Sequence, residues 1–281
     1  MSLPSASDEF GVAAPFLRWA GGKRWLSRKL VYAVRGDFKR YHEPFLGSAA
    51  FFLALKPSKA YLSDSNRELI NAFQVVRDDP DGLVRALRTF SYNRQAYYEV
   101  RAESPSGDVD RAARFIFLNR TCWNGLYRVN QAGTFNVPYG RRVRSAEWGE
   151  DRLFEASELL QAAEIECRDF EASLRRVRSG GFVFADPPYT VAHGNNGFIL
   201  YNEKIFSWED QRRLARALTG AVERGAHFIL TNADHASIRD LYRGFELRPI
   251  TRSSIIAADS INRRKVSELL ISDYRLDGLE T

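Results

Sequence analysis

Sulfur and imidazole ligands are scarce in this sequence. Its 281 residues include two cysteines, Cys122 and Cys167, and four histidines, and no Cys-x-x-Cys spacing occurs. A disulfide framework needs several paired cysteines, and a structural zinc site needs four clustered ligands. The sequence therefore excludes both classes, and we expect a protein of a reducing compartment that holds no metal.

Long apolar runs are also absent. No stretch approaches the roughly 20 apolar residues that cross a bilayer as a helix. Residues 1–14 lack the basic-then-apolar order of a signal peptide. We expect a cytoplasmic protein without a membrane partner, and we expect residues 1–14, which follow neither a helical nor a strand period, to be disordered.

Basic residues outnumber acidic ones. The 41 Lys and Arg residues against 35 Asp and Glu residues give a formal charge of +6. This excess is compatible with a polyanionic partner but does not identify one. With 44% hydrophobic residues over its length, the chain has enough apolar material for one larger α/β domain with a substantial insertion.

The most informative stretch is residues 182–189, Phe-Val-Phe-Ala-Asp-Pro-Pro-Tyr. Four consecutive apolar residues without polar alternation predict a strand that is covered on both faces, as in a parallel α/β sheet. Such sheets bind ligands beyond the carboxyl ends of their strands. Asp186 follows the apolar run directly, so it lies where the sheet is expected to bind a ligand.

Three residues of this stretch suit the binding of a planar amine. The Asp186 carboxylate and the Pro187 carbonyl can each accept one N–H of an exocyclic amino group, because the prolines keep this segment out of a helix or a ladder. Tyr189 can stack on the attached ring. The alternative is that Asp-Pro-Pro-Tyr forms only a strand end and a turn.

Two glycine-containing turns earlier in the chain are candidates for a cofactor site. Gly21 and Gly22 precede Lys23 and a helix predicted from residue 26 to residue 34, although a plain turn before a helix is an equal alternative. Residues 41–53 read as a strand, a small-residue turn and a helix, a pattern that lets a nucleoside approach the backbone.

A second predicted strand, residues 60–64, ends in Asp64. An acid in this place accepts hydrogen bonds from ribose hydroxyls in nucleoside-binding sheets. Asp64 could instead cap the helix predicted over residues 69–76, and both roles are compatible.

The α/β rhythm is interrupted over residues 79–162, where segments rich in Arg and aromatic residues are predicted to be helical at 83–90, 96–102 and 110–118. Residues 123–142 then combine Asn-Gly and Ala-Gly turn signals with Arg, Trp and Tyr. This pattern favours a β-ribbon that enters a nucleic-acid groove. The alternative is a solvated arginine face over core aromatics.

The α/β pattern resumes after residue 163. Predicted strands cover residues 164–170, 227–232, 245–253 and 267–274, with an amphipathic helix at 208–223. We therefore predict a catalytic domain in two parts, residues 15–78 and 163–281, with a target-recognition domain of residues 79–162 inserted between them.

In this order the pieces resemble the Dam-type DNA adenine methyltransferases, the D12 class (alpha group), from about Pro15 to Tyr274. Residues 18–23 (Arg-Trp-Ala-Gly-Gly-Lys) resemble the family's N-terminal cofactor motif, 43–47 (Glu-Pro-Phe-Leu-Gly) its first-strand motif and 186–189 its catalytic tetrapeptide. Residues 119–128 and 135–140 are similar to its recognition hairpin, and 262–270 to its final strand pair. The turn Gly47-Ser48-Ala49 has one glycine where the family commonly has two.

The resemblance implies a Rossmann-like, S-adenosyl-L-methionine-dependent methyltransferase fold. The cofactor contacts that it implies are Trp19, Lys23, Asp64, Asp186 and, at the adenine ring, Asp169. The catalytic residues are Asp186, Pro187 and Tyr189. The implied DNA contacts are Arg18, Trp123 as a wedge, Asn124, Arg128, Asn130 and Arg141.

The implied reaction is methyl transfer from S-adenosyl-L-methionine to the N6 amino group of an adenine flipped out of double-stranded DNA, with GATC as a candidate target. The alternatives are transfer to cytosine N4 or to RNA, and, in another class, a non-catalytic DNA-binding protein on the same fold. We expect a monomer that associates with the nucleoid when bound to DNA, and a cognate restriction endonuclease is a candidate partner.

Overall fold

The computed structural model describes residues 13–19, 21–34, 36–130, 132–140, 149–190, 206–253 and 265–276. These residues form two compact units. The strand-rich unit contains the described residues of Tyr32–Phe45 and Arg168–Thr281, and the helix-rich unit contains those of Pro4–Val31 and Leu46–Cys167. The predicted recognition domain, residues 79–162, falls inside the helix-rich unit. Of the start predicted to be disordered, residues 1–12 lie outside the described part, and Ala13 is buried.

The strands of the described residues are β1 (Arg40–Glu43), β2 (Ala60–Asp64), β3 (Ala163–Cys167), β4 (Gly181–Ala185), β5 (His227–Ala233), β6 (Glu246–Ser253) and β7 (Lys265–Ser272). The α-helices are α1 (Arg24–Leu30), α2 (Ala50–Leu55), α3 (Arg67–Asp78), α4 (Pro80–Arg88), α5 (Arg94–Ala102), α6 (Asp108–Thr121), α7 (Glu150–Leu160), α8 (Phe170–Leu174), α9 (Trp208–Glu223) and α10 (Ala236–Leu241). Short 3-10 turns cover Val31–Ala33 and Trp123–Gly125.

In the strand-rich unit the strands lie in the order β1-β4-β5-β7-β6. β1, β4 and β5 are parallel, and β7 runs antiparallel to both of its neighbours. Every residue of β4 is buried, as the unbroken apolar run predicted. The register pairs Phe184 with Ile229 and Ala185 with Leu230, so the parallel strands bring their carboxyl ends to the same edge of the sheet.

Helix α9 covers one face of this sheet. Leu214, Leu218 and Ala221 recur at helical spacing and lie in one apolar cluster with Phe228 and Leu230 of β5. The helix occupies the residues that its amphipathic period predicted. Its burial fixes the strands whose ends carry the predicted catalytic residues.

The helix-rich unit holds the parallel pair β2 and β3, in which Asp64 pairs with Cys167. Helix α3 packs against α6 and α7, and α4 packs against α6. Their shared interior is apolar and includes Leu69, Phe73, Val76, Leu83, Leu87, Ile116 and Phe117, each almost fully buried.

Several helices begin before their first predicted residue. α4 starts at Pro80 because the Asp79 side chain accepts the N–H of Gly82 at 2.8 Å and proline is well suited to the first helical turn. α3 starts at Arg67, where Asn66 accepts two N–H groups. The capping residues of α3 and α4 are polar and are not part of the apolar period, so the period did not indicate these starts. Helix α7 was not among the predicted segments.

The antiparallel pairing predicted in the recognition segment is confirmed in its described residues. Cys122 pairs with Tyr139 and Val129 with Phe135, each as an isolated bridge rather than part of a continuous ladder. Gly133 turns the chain with φ of 76°, a conformation that glycine adopts without steric cost. We call residues 122–140 the recognition hairpin.

Helix α5 fastens the recognition hairpin to the helix-rich unit. The Tyr97 hydroxyl donates to the Val137 carbonyl at 2.7 Å, and the Arg101 guanidinium donates to the same carbonyl at 3.1 Å. The Tyr97 and Tyr139 rings lie 5.3 Å apart. Two donors on one carbonyl and a ring contact fix the base of the hairpin to α5, whose Tyr97 is itself fully buried.

A capping box at the start of α9 is expected to stabilise the fold. Ser207 Oγ accepts the N–H of Asp210 at 3.1 Å, and the Asp210 carboxylate accepts the N–H of Ser207 at 2.9 Å. Replacing Ser207 by Ala should lower the free energy of unfolding by about 1 kcal/mol, because the N–H of Asp210 loses the hydroxyl that accepts it. Urea unfolding measures the loss, and Ser207→Thr, which keeps the hydroxyl, is the control. Equal stability of the two variants would contradict the cap.

Candidate active site

The residues predicted to act in function fall in both units. The strand-rich unit carries Asp186, Pro187, Tyr189 and Asp169. The helix-rich unit carries Arg18, Trp19, Lys23, Asp64 and the recognition hairpin.

Asp186 stands one residue beyond the end of β4. The neighbouring strand β5 continues for three residues past Leu230, the register partner of Ala185, so Thr231 lies beside Asp186. The Thr231 hydroxyl donates a hydrogen bond to Oδ1 of Asp186. Thr231 is completely buried, whereas Asp186 is partly exposed. A buried donor therefore holds the carboxylate, and the residue keeps part of its surface exposed.

Tyr189 is held by its hydroxyl. This group donates to Oε2 of Glu268 at 3.1 Å, and Glu268 lies in β7, opposite Ala233 of β5. Glu268 is only 3% exposed, while Tyr189 is partly exposed. The bond fixes the polar end of the ring and leaves part of the residue's surface for stacking.

The residue that follows the tetrapeptide belongs to a buried polar chain. Thr190 Oγ1 donates to the Phe206 carbonyl at 2.9 Å and accepts from Nε2 of Gln211 at 3.2 Å. Oε1 of Gln211 in turn accepts from Nδ2 of Asn232 at 3.0 Å. Buried polar groups with satisfied hydrogen bonds rigidify their surroundings. This chain joins α9 and β5 to the end of the tetrapeptide.

Sequence reasoning missed Thr231, Gln211, Asn232 and Glu268. Polar residues within otherwise apolar strands were the available signal, since Thr231 and Asn232 follow Phe228-Ile229-Leu230 directly. A buried hydroxyl or amide in such a strand needs a partner. Here the partners are the tetrapeptide itself and the helix that packs against it.

Asp169, the predicted contact of the cofactor's adenine, lies at the start of α8. One of its oxygens accepts the N–H of Glu171 at 2.9 Å, and Arg213 donates to the same oxygen at 3.0 Å. The Arg213 guanidinium also lies 4.8 Å from the centre of the Phe170 ring. Asp169 thus caps a helix and pairs with an arginine, and its side chain is 48% exposed.

In the helix-rich unit, the turn after residue 46 is shaped around Trp19. Gly47 has φ of 48°, and a Cβ built on it would lie 3.0 Å from Cδ1 of Trp19. A side chain at this position would displace the indole ring. The Trp19 ring also stacks on Tyr127 at 5.8 Å. Ala49, in the same turn, has φ of 55°, a conformation that glycine adopts more readily.

Asp64 ties this turn to the end of β2. Its Oδ2 accepts the N–H of Gly47 at 3.3 Å, and its Oδ1 accepts the N–H of Asn66 at 3.0 Å. Burial raises the pKa of Asp64, and hydrogen bonds from neighbouring backbone N–H groups oppose that rise. The alternative role of Asp64 as the cap of the following helix is wrong, because the Asn66 side chain accepts the N–H groups of Glu68 and Leu69.

Lys23 is almost fully buried and begins α1. Its Nζ donates to the carbonyl of Gly21 at 2.9 Å, which closes the glycine loop on itself. A buried ammonium at the end of a glycine loop is well placed to support a carboxylate or carbonyl ligand.

Asn119 of α6 joins the Arg18 backbone to the recognition hairpin. The Asn119 side chain accepts the Arg18 N–H at 2.9 Å and donates to the Arg18 carbonyl at 2.7 Å, and the same amide lies 3.4 Å from the Gly125 carbonyl. Gly125 has φ of 64°, and a Cβ on it would come within 2.4 Å of Cβ of Arg18. The Arg18 side chain itself is exposed.

The predicted DNA contacts of the recognition hairpin are exposed where the structure describes them. Trp123 is 44% exposed, and Asn124 has φ of 55° in the adjacent turn. Nε of Arg128 donates to Oδ1 of Asn136 at 2.8 Å. The Asn130 side-chain oxygen accepts the N–H groups of residues 132 and 134, so it builds the hairpin turn. Arg141 lies outside the described residues.

The described ranges contain no cluster of three or more His, Cys, Asp or Glu side chains able to hold a metal ion. None of their helices combines the length and apolar character that crossing a bilayer requires.

The chain matches a known protein family and several of its members. The model of the D12 class N6 adenine-specific DNA methyltransferases matches residues 19–255. The chain is 33% identical over 270 residues to the Type II methyltransferase M1.LlaDCHI of Lactococcus lactis subsp. cremoris, a match that covers 92% of this chain and 95% of the relative.

Two further relatives come from an archaeon and an enteric bacterium. The chain is 35% identical over 285 residues to the Type II methyltransferase M.MjaIII of Methanocaldococcus jannaschii, covering 92% of this chain and 99% of the relative. It is 33% identical over 268 residues to the DNA adenine methylase of Escherichia coli strain K12, covering 91% and 93%.

These matches decide among the alternatives that the sequence left open. The family acts on adenine N6 of DNA rather than on cytosine or RNA, and its members are enzymes rather than non-catalytic binding proteins. The predicted α/β, Rossmann-like methyltransferase fold is confirmed. The chain belongs to the D12 class of N6 adenine-specific DNA methyltransferases.

Proposed function

We propose that this enzyme methylates an adenine that has been swung out of double-stranded DNA, and that Asp186, Pro187 and Tyr189 form the receptor for that base. The main support for the proposal is the position of the Asp186 carboxylate. Thr231 holds this carboxylate at the end of β4, and the carbonyl of Pro187 is next along the chain. Chemistry at a base atom inside a duplex requires extrusion of the nucleotide, which costs a few kcal/mol. Stacking on Tyr189 and two hydrogen bonds at the amine offset that cost.

The two acceptors also activate the nucleophile. The amino nitrogen of adenine is a weak nucleophile because its lone pair is delocalised into the ring. Hydrogen bonds from its two N–H groups to the Asp186 carboxylate and the Pro187 carbonyl oppose that delocalisation and hold the nitrogen at a fixed place. Asp186 need not remove a proton first, since the proton leaves after positive charge has formed on nitrogen.

We propose S-adenosyl-L-methionine as the cofactor, which supplies an electrophilic methyl group on sulfonium. The turn at Gly47 supports this assignment, because the lack of a side chain lets the ring of Trp19, a proposed cofactor contact, pack directly against the backbone of the turn. Asp64 is placed to accept ribose hydroxyls, and Lys23 and Trp19 to contact the rest of the molecule. Asp169 is a candidate for the adenine ring, and there it would share its carboxylate with Arg213.

We propose that the recognition hairpin reads the DNA. Trp123 is exposed on a tight turn, as a residue that wedges into a duplex must be. Arg18 and Arg128 are exposed guanidinium groups that can bind a guanine edge or a phosphate. Asn124, Asn130 and Arg141 are further candidate contacts. Asn130 has its side-chain oxygen committed to the hairpin turn, so its amide nitrogen is the group available for DNA.

The biological setting belongs to the same proposal. We propose GATC as the target, a cytoplasmic location with nucleoid association on binding DNA, and a monomeric enzyme. Two of the relatives are named Type II methyltransferases, which supports a cognate restriction endonuclease as a partner. The division into catalytic residues 15–78 and 163–281 and recognition residues 79–162 is proposed with it.

Asp186→Asn is the direct test of the catalytic assignment. The variant keeps the size of the side chain but replaces an acceptor oxygen by a donor, so we expect the methyl-transfer rate to fall at least about 100-fold. Incorporation of labelled methyl groups into DNA measures the rate. Asp81→Asn, at an exposed acid in α4, serves as the matched control. Turnover near the wild-type rate in Asp186→Asn would refute the assignment.

Asp64→Asn tests the cofactor assignment. Loss of a charged acceptor for ribose hydroxyls should weaken binding of S-adenosyl-L-methionine by about 10- to 100-fold, the usual size for a hydrogen bond to a charged group. Titration calorimetry measures the Kd, and thermal unfolding checks that the Gly47 turn is retained. An unchanged Kd in a folded variant would remove Asp64 from the cofactor site.

Arg128→Ala tests base reading by the recognition hairpin. If Arg128 contacts a base, the variant should methylate sites that differ from the wild-type target at one position, with discrimination there reduced by about 1–3 kcal/mol. Sequencing of N6-methyladenine in DNA exposed to each protein gives both target patterns, and the wild-type pattern also tests GATC. Arg85→Ala, an exposed arginine of α4, is the charge-matched control. Uniformly weaker methylation at an unaltered target would mean that Arg128 only grips phosphate.

A further inference from the structure

Thr231 lies outside the tetrapeptide and binds its carboxylate directly. Its hydroxyl donates to Oδ1 of Asp186, and its side chain has no exposed surface. A valine would fill the same space in β5 and continue the apolar run Phe228-Ile229-Leu230 without burying a hydroxyl. A hydroxyl in this position costs free energy unless it is hydrogen bonded, and the bond that it makes is to Asp186.

A carboxylate at a strand end can rotate about its side-chain torsions. To accept an N–H of a planar amine, Asp186 must present an oxygen in the plane of that amine. A donor on Oδ1 restricts the rotation and so sets the direction of the remaining acceptor sites. Threonine suits this purpose because its β-branched side chain is stiff at the first torsion.

The strand that carries Thr231 is itself fixed. Its neighbour Asn232 donates to Gln211 of α9, and Gln211 donates to Thr190 at the end of the tetrapeptide segment. All three of these polar residues are buried. The position of the Thr231 hydroxyl relative to Asp186 is therefore set from β5, from α9 and from the segment that contains Asp186.

We propose that Thr231 is a positioning residue for methyl transfer, which orients the Asp186 carboxylate toward the amino group of the extruded adenine. The proposal rests on the proposed role of Asp186 in the reaction. It assigns Thr231 no contact with the base or the cofactor.

Thr231→Val and Thr231→Ser test the proposal. In single-turnover methyl transfer we expect Thr231→Val to slow the chemical step about 10- to 100-fold, as for a lost hydrogen bond to a charged group, with KM for DNA and for S-adenosyl-L-methionine close to wild type. Thr231→Ser keeps the hydroxyl and should restore most of the rate. If Thr231 had only a structural role, Thr231→Val would change stability without lowering kcat at an unchanged KM.

A double variant separates this proposal from the assignment of Asp186. If Thr231 acts through the carboxylate, Thr231→Val combined with Asp186→Asn should be no slower than Asp186→Asn alone. Should Asp186→Asn retain activity, the proposed catalytic role fails. Should Asp186→Asn be inactive while Thr231→Val turns over like the wild type, only the role of Thr231 is overturned.

A second pair of variants tests the proposal if Thr231→Val does not fold. Thr231→Ser and Thr231→Ala both lack the γ-methyl group, and only the serine variant retains the donor. A faster chemical step in Thr231→Ser than in Thr231→Ala, at matched thermal stability, supports the proposal. Equal single-turnover rates in these two variants would overturn it.

Discussion

The parallel register of β4 and β5 is the constraint on which the proposed catalytic chemistry of this chain depends. Because Ala185 pairs with Leu230, the first residue beyond β4 falls beside a residue that is still inside β5. The longer strand can therefore supply a buried side chain to the exposed end of the shorter one. The contact between Thr231 and Asp186 follows from this difference in length, and the contact between Glu268 and Tyr189 extends the same arrangement to β7.

In the helix-rich unit, polar side chains hold the candidate site by binding backbone groups. Gly47 leaves space for the Trp19 ring, and the Asp64 carboxylate holds the same turn by accepting the Gly47 N–H. The Asn119 side chain binds the Arg18 backbone on both sides and contacts the Gly125 carbonyl. The segment proposed to contact the methyl donor is thus joined to the recognition hairpin proposed to contact DNA.

Much of the fold could be predicted from sequence, because periodicity reports burial directly. β4, β2 and α9 lie where apolar runs and amphipathic spacing placed them. Several of the predicted helices began a few residues after the observed starts. The observed starts of α4 and α3 are set by single capping side chains, Asp79 and Asn66, which are not part of the apolar periodicity. The supporting residues Thr231, Gln211 and Glu268 could not be assigned, because their roles depend on which strands become neighbours. The sequence motifs thus predicted the candidate site, whereas the residues that support it become neighbours only through the pairing of strands in the fold.

A crystal structure of the enzyme bound to its target duplex and an unreactive analogue of S-adenosyl-L-methionine tests the amine receptor most directly. We predict that the amino nitrogen of an extruded adenine lies within about 3.2 Å of both the Asp186 carboxylate and the Pro187 carbonyl, with Thr231 still bonded to Oδ1. An extruded base whose amino group is bound elsewhere, or an adenine that stays stacked in the duplex, would contradict this mechanism.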